Sequence, residues 1–268
     1  MAFWYDGNKN YTENKREKDG IVYYIRGVVT VDGKQFERYA INTHFVTRGE
    51  DIVELMKKYV LPLYEEGDIL SIGEKVVSMC QNNTVEMSSV KVGFIARNVS
   101  KFAKQLNATG VGVGEPYKLQ LAINMKGAPR VLFGAFCGAV GKLFGKSGWF
   151  YKIVGADVAG IDGFYRNSLF PTYRELAVLV PKNPDAECNK IKEATGISAM
   201  VVDANDLAVE IMGKSSDLDF VSNDFLADLI RDNPAGQDDE CTPFIIIRDL
   251  KGREPQPYVP MRVREEIK

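Results

Sequence analysis

A mixed fold of helices and strands, α/β or α+β, is predicted by three features of the sequence. Short apolar runs of strand type alternate with segments of helical spacing. No internal repeat and no Pro/Ser-rich linker divides the 268 residues, so composition marks no domain boundary. Hydrophobic residues make up 45% and charged residues 26% of the chain, as in ordinary globular proteins. This length allows one large domain or two modest ones.

The first half of the chain predicts a hairpin followed by an amphipathic helix. The apolar runs 21–31 and 34–41 flank a turn at Asp32-Gly33, which is typical of a β-hairpin. A helix follows Gly49, and its apolar face comprises Ile52, Leu55, Met56 and Tyr59. Further expected elements are strand-like residues broken by Gly73, Glu74 and Lys75, a helix over 90–107, a loop over 110–116 and a strand over 117–125.

The second half contains the most apolar stretch, residues 131–141, which predicts a helix. Its glycines at 134, 138 and 141 suit close packing against another backbone, so we expect buried core. It is much shorter than the roughly 20 residues needed to span a bilayer. Further expected elements are a buried strand over 175–181, a helix over 184–196, a strand over 197–203 with a helical pattern after it, a helix from Asp224 that stops at Asn233-Pro234, and a strand over 242–249.

Composition excludes several classes of function. The formal net charge of −2 gives no basic footprint for nucleic acid. His44 is the single histidine and the four cysteines form no CxxC pair, so zinc and multi-histidine sites are excluded. Any metal must bind oxygen ligands, which favours Mg²⁺ or Mn²⁺ and phosphate chemistry. We expect reduced thiols, a cytoplasmic location, no signal peptide and no membrane partner.

Polar residues gather where predicted strands end. In VVDANDL, Asp203, Asn205 and Asp206 follow a buried strand, and they suit either a helix cap or a metal site. Lys75 would face a phosphate or simply be a solvated lysine, and Asp162 between two glycines suits a turn as well as a ligand. The acidic run at 238–240 is typical of a solvated face. Each of these segments alone is explained by a turn, a cap or a solvated surface, and only their combination favours a functional site.

An ordered set of segments identifies a resemblance. These segments are DILSIGEKVVS, LFGKSGWFYKIVG followed by AGIDG, VLVPKNPDA, IKEATGISAMVVDANDL and NPAGQDDECTPFIIIR. Together they resemble the gamma-glutamyl ligases that extend the deazaflavin coenzyme F-420 (coenzyme F-420-0:L-glutamate ligases, CofE-like). The similarity runs from about Ile41 to about Arg248, and VVDANDL and NPAGQ are its most specific parts.

The resemblance implies a fold and a reaction. The expected fold is α+β, with mixed sheets and helices in the architecture of that family, neither Rossmann nor ATP-grasp. The expected enzyme is a cytoplasmic homodimer that uses GTP, or ATP, with Mn²⁺ or Mg²⁺. It phosphorylates a substrate carboxylate to an acyl phosphate, which the amine of glutamate or another amino acid then attacks. The expected partners are the nucleotide, the amino acid and a carboxylate-bearing small molecule.

The resemblance also assigns site residues, although no catalytic residue. Asp162, Asp203 and Gln237 match metal ligands, and Asn205 or Asp206 would join the metal shell or cap the next helix. The nucleotide-binding residues implied in this way are Thr43, His44, Phe45, Val46, Glu74, Lys75, Asn167, Ala235, Gly236, Asp238, Asp239, Glu240, Cys241 and Thr242. The implied organisation is a polar segment and hairpin of unknown role at 1–40, the ligase-like region at 41–250 with two interwoven subdomains allowed, and a polar tail at 251–268.

The chain departs from the family pattern at three positions. Met79 stands where some relatives have lysine, Ala204 stands where a hydroxyl residue is common, and GFYRN replaces the usual Arg-Ser-Asn after AGID. These departures keep two alternatives open beside the ligase. One is a non-catalytic nucleotide- or metabolite-binding homologue, and the other is a dimeric scaffold whose acidic turns are plain loops. A dinucleotide oxidoreductase is disfavoured because no GxGxxG fingerprint is present.

Overall fold

The chain folds into two compact units in the computed structural model. The first comprises Met1–Asn82 and Pro181–Lys268, and the second comprises Asn83–Val180. The structure describes residues 9–103, 106–107, 110–146, 148–164, 171–205, 208–236 and 240–260. Helices and mixed sheets are present in these residues, which confirms the predicted α+β class.

The helices and strands of the described residues alternate along the chain. The strands are β1 (Lys15–Lys18), β2 (Ile21–Val31), β3 (Lys34–Ile41), β4 (Ile69–Gly73), β5 (Thr84–Glu86), β6 (Leu106–Asn107), β7 (Gly110–Val111), β8 (Asp162–Gly163), β9 (Leu176–Val178), β10 (Ser198–Ala204), β11 (Val209–Lys214) and β12 (Phe244–Asp249). The α-helices are α1 (Ile52–Leu55), α2 (Glu74–Cys80), α3 (Phe94–Val99), α4 (Pro116–Lys126), α5 (Ala128–Leu143), α6 (Trp149–Val154), α7 (Ala156–Ala159), α8 (Thr172–Glu175), α9 (Pro184–Thr195) and α10 (Asn223–Asp228). A π-helical turn, Met56–Val60, continues α1.

A seven-stranded sheet forms the centre of the first unit. Its strand order is β1-β2-β3-β12-β4-β10-β11. The pair β4 and β10 is parallel, and the other neighbours are antiparallel. The predicted hairpin is confirmed, because β2 pairs with β3 across Asp32-Gly33. Since β4 and β10 run in the same direction, their carboxyl ends meet at one edge of the sheet.

Helices cover both faces of this sheet, so the side chains of the central strand β12 are buried on both faces. Ile246 packs with residues of α1 and α9 on one face, while Ile245 and Ile247 pack with α10 on the other. Alternate side chains of a strand point to opposite faces, so a strand buried on both faces reads as a continuous apolar run. The sequence FIII satisfies this requirement.

The second unit has its own core. The sheet β5-β9-β8 is antiparallel, and β6 pairs with β7. The buried residues Leu119, Val131, Val154 and Phe164 belong to one apolar cluster of this unit. Close packing of α5 against α6 depends on small residues, because a Cβ at Gly134 would lie 2.6 Å from a methyl group of Val154. The predicted use of these glycines is therefore confirmed.

Two predicted elements in the second unit are wrong. Residues 117–125 were expected to form a strand but belong to α4, which begins with Pro116 at its first position and with the Glu115 side chain accepting from the Tyr117 backbone N–H. This capping outweighs the alternating pattern of YKLQL. The helix expected over 90–107 covers only Phe94–Val99, with a short 3-10 turn at Ser100–Phe102 and strand β6 after it.

Two expectations in the first unit are also wrong. A strand, β11, and not a helix follows VVDAND. The β-branched residues Val209 and Ile211 lie on either side of Glu210, which favours a strand paired with β10 over a helix. The helix expected from Asp224 up to Asn233 ends as regular α-helix at Asp228.

The predicted burial of α5 holds for one face only. Val131, Gly134 and Gly141 are buried, but Leu132, Phe133 and Phe136 on the other face are exposed. An isolated apolar run does not tell whether one or both faces of a helix are covered. In the part of the chain that the structure describes, no helix is long and apolar enough to cross a membrane.

Asp217 joins three elements of the first unit and should make its stability depend on pH. Its carboxylate accepts from the Ser198 hydroxyl at 2.6 Å and pairs with Lys192 at 2.9 Å. Burial alone would raise the pKa of Asp217, but the hydrogen bonds from Ser198 and Ser215 and the charge of Lys192 outweigh it and lower that pKa.

Asp217→Asn should therefore lower the melting temperature at neutral pH and lose this effect in acid. A carboxyl group whose pKa is lowered by folding stabilises the native state above its unfolded pKa, and this contribution disappears as pH falls through the folded pKa. Thermal unfolding of both proteins across pH measures the difference. Asp219→Asn, at an exposed position, is the control, and an equal melting-temperature difference at every pH would contradict the prediction.

Candidate functional site

Three chain segments that are distant in sequence converge beside the end of β4. We call residues 233–243 the β12 entry loop, since they lead into β12. Thr43, just after β3, donates its backbone N–H to the Cys241 carbonyl at 2.8 Å. The Gly73 N–H at the end of β4 donates to the Pro243 carbonyl at 3.0 Å. The segments around Thr43, Gly73 and the loop are thus fixed by backbone hydrogen bonds.

The described parts of the β12 entry loop have a tight internal structure. The buried Thr242 hydroxyl donates to the Ala235 carbonyl at 2.6 Å and so joins the two ends of the loop. Gly236 has a φ of 77°, and a Cβ there would collide with the Glu240 carboxylate. Only glycine fits this position without displacing Glu240. The glycine of the NPAGQ segment is thus explained by local geometry as well as by resemblance.

A buried arginine, Arg26, holds the loop in place. Its side chain is 0% exposed. It donates through Nε to the Pro234 carbonyl at 2.8 Å and through a terminal nitrogen to the Lys9 carbonyl. The other terminal nitrogen lies 2.5 Å from Asn10 Oδ1 and 3.4 Å from the Glu240 carboxylate. One guanidinium therefore connects β2, the loop and the segment before β1.

Additional contacts reinforce this network around Glu240. The Lys9 backbone N–H donates to the Glu240 carboxylate at 3.1 Å, and the Lys9 ammonium donates to the Asn233 carbonyl at 2.8 Å. The side-chain amide of Asn42 donates to the Glu240 carbonyl at 3.0 Å. Glu240 was expected in a solvated acidic run or at a nucleotide, but it is buried inside this network.

A β-bulge explains how an arginine comes to lie inside the unit. The register of β2 against β3 shifts between Ile25 and Val28, and Gly27 in the bulge has a φ of 74°. Bulges redirect side chains from the regular alternation. Arg38 on β3 donates to the Arg26 carbonyl at 2.9 Å and forms a two-pronged ion pair with Asp232. The paired arginines anchor the chain on both sides of Asn233.

The charge of Arg26 is maintained at neutral pH. Burial lowers the pKa of Arg26 to about 10, and the neighbouring Glu240 opposes this fall. A group with this pKa is protonated at pH 7, so it faces the Glu240 carboxylate as a full charge. A buried charge of this kind is costly unless it is paired and hydrogen-bonded. In this network Glu240 pairs with the Arg26 charge, and backbone carbonyls accept hydrogen bonds from the guanidinium.

The carboxyl ends of β4 and β10 place two acidic residues at one edge of the sheet. Gly73 pairs in register with Val202, so the residues that follow this pair are Glu74, at the start of α2, and Asp203, still on β10. Glu74 is buried at the start of α2, whereas Asp203 is half-buried. Lys75 is half-buried on the same first turn of α2. This edge brings together two carboxylates and an ammonium from the predicted site.

Asn205 has a clear local role in the turn after Asp203. Its side-chain oxygen accepts from the Ala208 N–H at 3.1 Å, and its own N–H donates to the Ala208 carbonyl at 3.0 Å. Asn205 therefore caps the β10–β11 turn, and its expected role as the cap of a following helix is wrong. Asn and Asp stabilise turns in this way.

Asp162 lies in the second unit, on β8. Its carboxylate accepts from the Gly163 N–H at 2.8 Å, and the residue is half-buried. Gly163 has a φ of 105°, and a Cβ there would overlap the Leu176 carbonyl of β9. The glycine after Asp162 is therefore required by the close approach of two strands and fixes the backbone that carries this carboxylate.

His44 belongs to a polar cluster at the surface of the first unit. Its ring nitrogens lie 2.7 Å from the Tyr59 hydroxyl and 2.8 Å from the Glu50 carboxylate. Burial acts to raise the pKa of Glu50, but hydrogen bonds from Thr47 and the contact with His44 outweigh it and lower that pKa. Val46 is buried and joins the apolar core, and Phe45 is half-buried.

Several predicted site residues lie outside the described residues. They are Asn167, Asp206, Gln237, Asp238 and Asp239. In the part of the chain that the structure describes, no three acidic, cysteine or histidine side chains form a group able to hold a metal ion. Asp203 and Asp162 belong to different units, so neither unit alone assembles the expected ligand set from its described residues.

Sequence reasoning missed Arg26, Lys9, Asn42 and Asn233. A signal for Arg26 was present, because IVYYIRGVVTV places an arginine directly before glycine inside an apolar strand. Charged residues are almost never fully buried unless they are paired. The partner Glu240 could not be inferred, since it is 214 positions away in the chain.

Comparison with known proteins supports the resemblance over part of the chain. The fold and the polar edge define an α+β protein with a candidate ligand-binding loop. Residues 40–141 match the family model described as F420-0:Gamma-glutamyl ligase, which confirms the resemblance and indicates a gamma-glutamyl ligase-like function. The match includes Thr43–Val46 and Glu74-Lys75 but ends before Asp162 and the β12 entry loop. No curated protein matches the chain significantly.

Arg26→Gln should destabilise the first unit by about 3–5 kcal/mol, because it removes the buried charge that faces the Glu240 carboxylate and breaks a buried ion pair. Arg253→Gln removes an exposed arginine that pairs with Glu65 at 3.2 Å and should cost at most about 1 kcal/mol. Urea unfolding of the two variants gives the comparison. A loss for Arg26→Gln no larger than for the surface variant would contradict the role assigned to Arg26.

Proposed function

We propose that the protein is a nucleotide- and divalent-metal-dependent amide ligase. It adds glutamate, or another amino acid, to a carboxylate of a small cofactor-like molecule through an acyl phosphate. The family match over residues 40–141 supports this class of reaction. The observation that carries the proposal within the structure is the hydrogen bond from Thr43 to Cys241, because it joins the two segments that the resemblance assigns to the nucleotide.

In this proposal, the nucleotide lies against the segment Thr43–Val46, the first turn of α2 and the β12 entry loop. GTP is the expected nucleotide and ATP is the alternative. The described residues of the loop suit recognition through backbone N–H and carbonyl groups, since the Thr242 and Glu240 side chains are engaged within the protein. Lys75 is the cation closest in sequence to the end of β4 and would face a phosphate. Asn167 would complete these contacts.

The proposed metal is Mn²⁺ or Mg²⁺, held by Asp162, Asp203 and Gln237. Carboxylate and amide oxygens are the ligands that these hard cations prefer. The metal would neutralise the triphosphate and the charge that develops during phosphoryl transfer. Asp206 would join its shell. Asn205, which also fixes the turn after Asp203, would belong to the second shell of the metal.

The reaction balances without a redox partner. A carboxylate oxygen of the acceptor bonds to the terminal phosphorus of the nucleotide, and a nucleoside diphosphate leaves. The amine nitrogen then bonds to the acyl carbon, the carbon–oxygen bond to phosphate breaks, and the amine loses a proton. The contribution of this chain is to hold the nucleotide rigidly, because positioning and electrostatics dominate such transfers.

Asp203→Asn and Asp162→Asn should each reduce nucleotide-dependent phosphate release by roughly 100-fold or more. Each substitution removes a negative charge from the proposed metal site with almost no change in size. Asp219→Asn, at an exposed position of the first unit, should leave the rate unchanged. Phosphate release is measured with GTP or ATP, Mn²⁺ or Mg²⁺, and a screen of carboxylate and amino-acid acceptors. Unchanged rates for both site variants would refute the metal assignment.

A second candidate is a non-catalytic binding homologue, which one observation favours. Met79 is only 1% exposed, so the position where some relatives carry lysine is a core position in this chain. Ala204 lacks the hydroxyl group common after the second aspartate. Thermal stability detects nucleotide binding in either case, since a ligand at about 100 times its dissociation constant adds roughly 2.7 kcal/mol, and phosphate release then separates the two candidates. Stabilisation by nucleotide with no phosphate release under any acceptor would establish the binding protein.

The quaternary state implied by the resemblance is also a proposal. A homodimer is expected, and light scattering behind size-exclusion chromatography measures it directly. Stabilisation by nucleotide and metal in a monomer would keep the ligase proposal and remove only the dimer.

A further inference from the structure

The outer face of α5 is an exposed apolar surface in the second unit. It is formed by Pro129, Leu132, Phe133, Phe136, Ala139, Leu143 and Phe144, which we call the α5 outer face. Phe133 is 59% exposed, Phe136 is 65% exposed and Leu143 is 85% exposed. The spacing of these residues places them on one side of the helix. Such a concentration of exposed aromatic and aliphatic side chains marks an interaction surface.

The opposite face of α5 holds the helix in place without any help from this surface. A Cβ at Gly138 would lie 3.3 Å from the Phe150 side chain, and one at Gly141 would lie 3.0 Å from the Trp149 ring. Both contacts are with α6, which packs closely because the glycines have no side chains. The helix is thus apolar on both faces, whereas packing within the unit requires only one.

The chain segment that carries this surface has charged residues of one sign only. Residues 116–156 contain six lysines and arginines and no aspartate or glutamate, although the whole chain has a net charge of −2. Three of these cations make contacts inside the unit: Lys118 donates to the Ile161 carbonyl at 2.5 Å, Lys126 pairs with Asp157 at 2.6 Å, and Arg130 donates through Nε to the Ile153 carbonyl at 2.7 Å. The exposed ones are Arg130, Lys142, Lys146 and Lys152.

The cations of α5 lie beside its exposed apolar face. With 3.6 residues per turn, Arg130 lies on one flank of the outer face and Lys142 lies on the other. Lys146 follows just after the helix ends. Helices that lie in the plane of a membrane combine an apolar face with lysine and arginine beside it, and the long cationic side chains reach up to the headgroups.

We propose that the α5 outer face docks on an anionic lipid surface. The phenylalanine and leucine side chains enter the boundary between headgroups and acyl chains, while the exposed Lys142 and Lys146 contact lipid phosphates. The helix lies flat and does not cross the bilayer. This proposal departs from the expectation of no membrane partner, which rested on the short length of the apolar stretch 131–141.

Charge also distinguishes a lipid surface from a second copy of the chain. If two copies packed through this face, Arg130 and Lys142 of each would be brought towards a surface that carries the same charge. Residues 116–156 offer no carboxylate to compensate them, and like charges at an interface are costly. An anionic membrane would bury the apolar side chains and would also attract the cations.

Vesicle co-sedimentation of the full chain tests the proposal. We expect binding to vesicles of phosphatidylcholine mixed with phosphatidylglycerol, weaker binding to phosphatidylcholine alone, and a decrease with added salt. Phe133→Ser combined with Phe136→Ser should lower the partition coefficient roughly tenfold or more. Lys142→Glu combined with Lys146→Glu should lower it at least roughly tenfold through charge alone. The charge variant keeps the test decisive if the serine variant folds poorly.

Phe220→Ser is the matched control, because Phe220 is an 87% exposed phenylalanine of the first unit. It should bind vesicles as the unmodified protein does. Equal binding of all variants, or no binding of the unmodified protein to anionic vesicles, would overturn the proposal. So would an oligomer of the unmodified protein that the paired serine substitutions convert to monomers, since the face would then join two copies.

Discussion

The first unit depends on one buried cation, the guanidinium of Arg26. It connects β2 to the β12 entry loop and to the residues before β1, and Glu240 lies opposite it. The local cause is the β-bulge at Gly27, which breaks the alternation of an otherwise apolar strand. Because a buried charge must be fully satisfied, this network fixes the loop residues that it contacts, Asn233, Pro234 and Glu240. The same loop places Cys241 beside Thr43 and Pro243 beside Gly73.

Residues of the N-terminal region support the β12 entry loop. Lys9, Asn10 and Arg26 all contact the loop or its flanking residues, so residues before Ile41 help to shape the proposed nucleotide site. The resemblance begins only at about Ile41 and offered no role for them. If the loop holds a nucleotide, its fixed backbone avoids an entropy cost on binding, which is how preorganised sites gain affinity.

The sequence predicts local features of the fold well and long-range partners poorly. The hairpin of β2 and β3, the buried strand β12 and the helix α9 that ends at Gly196 follow from short patterns that need no distant contact. In contrast, α4 has an alternating pattern but its capping residues make it a helix, and β11 is a strand because it pairs with β10.

For the candidate site, the resemblance predicted Thr43 and the loop, whereas the Arg26–Glu240 pair joins residues that are too distant in sequence for any motif to predict. The exposed side of α5 was missed for a similar reason, since an apolar run does not specify which of its faces is covered.

Hydrogen exchange of the intact protein, with and without GTP and Mn²⁺, tests the central claim most directly. The claim is that the segment after β3, the first turn of α2 and the β12 entry loop form one nucleotide site. We predict that amides at 43–46, at 74–75 and at 235–242 become protected together when both ligands are present, and that Arg26→Gln abolishes this joint protection. Protection confined to other segments, or none with GTP or ATP and either metal, would contradict the account.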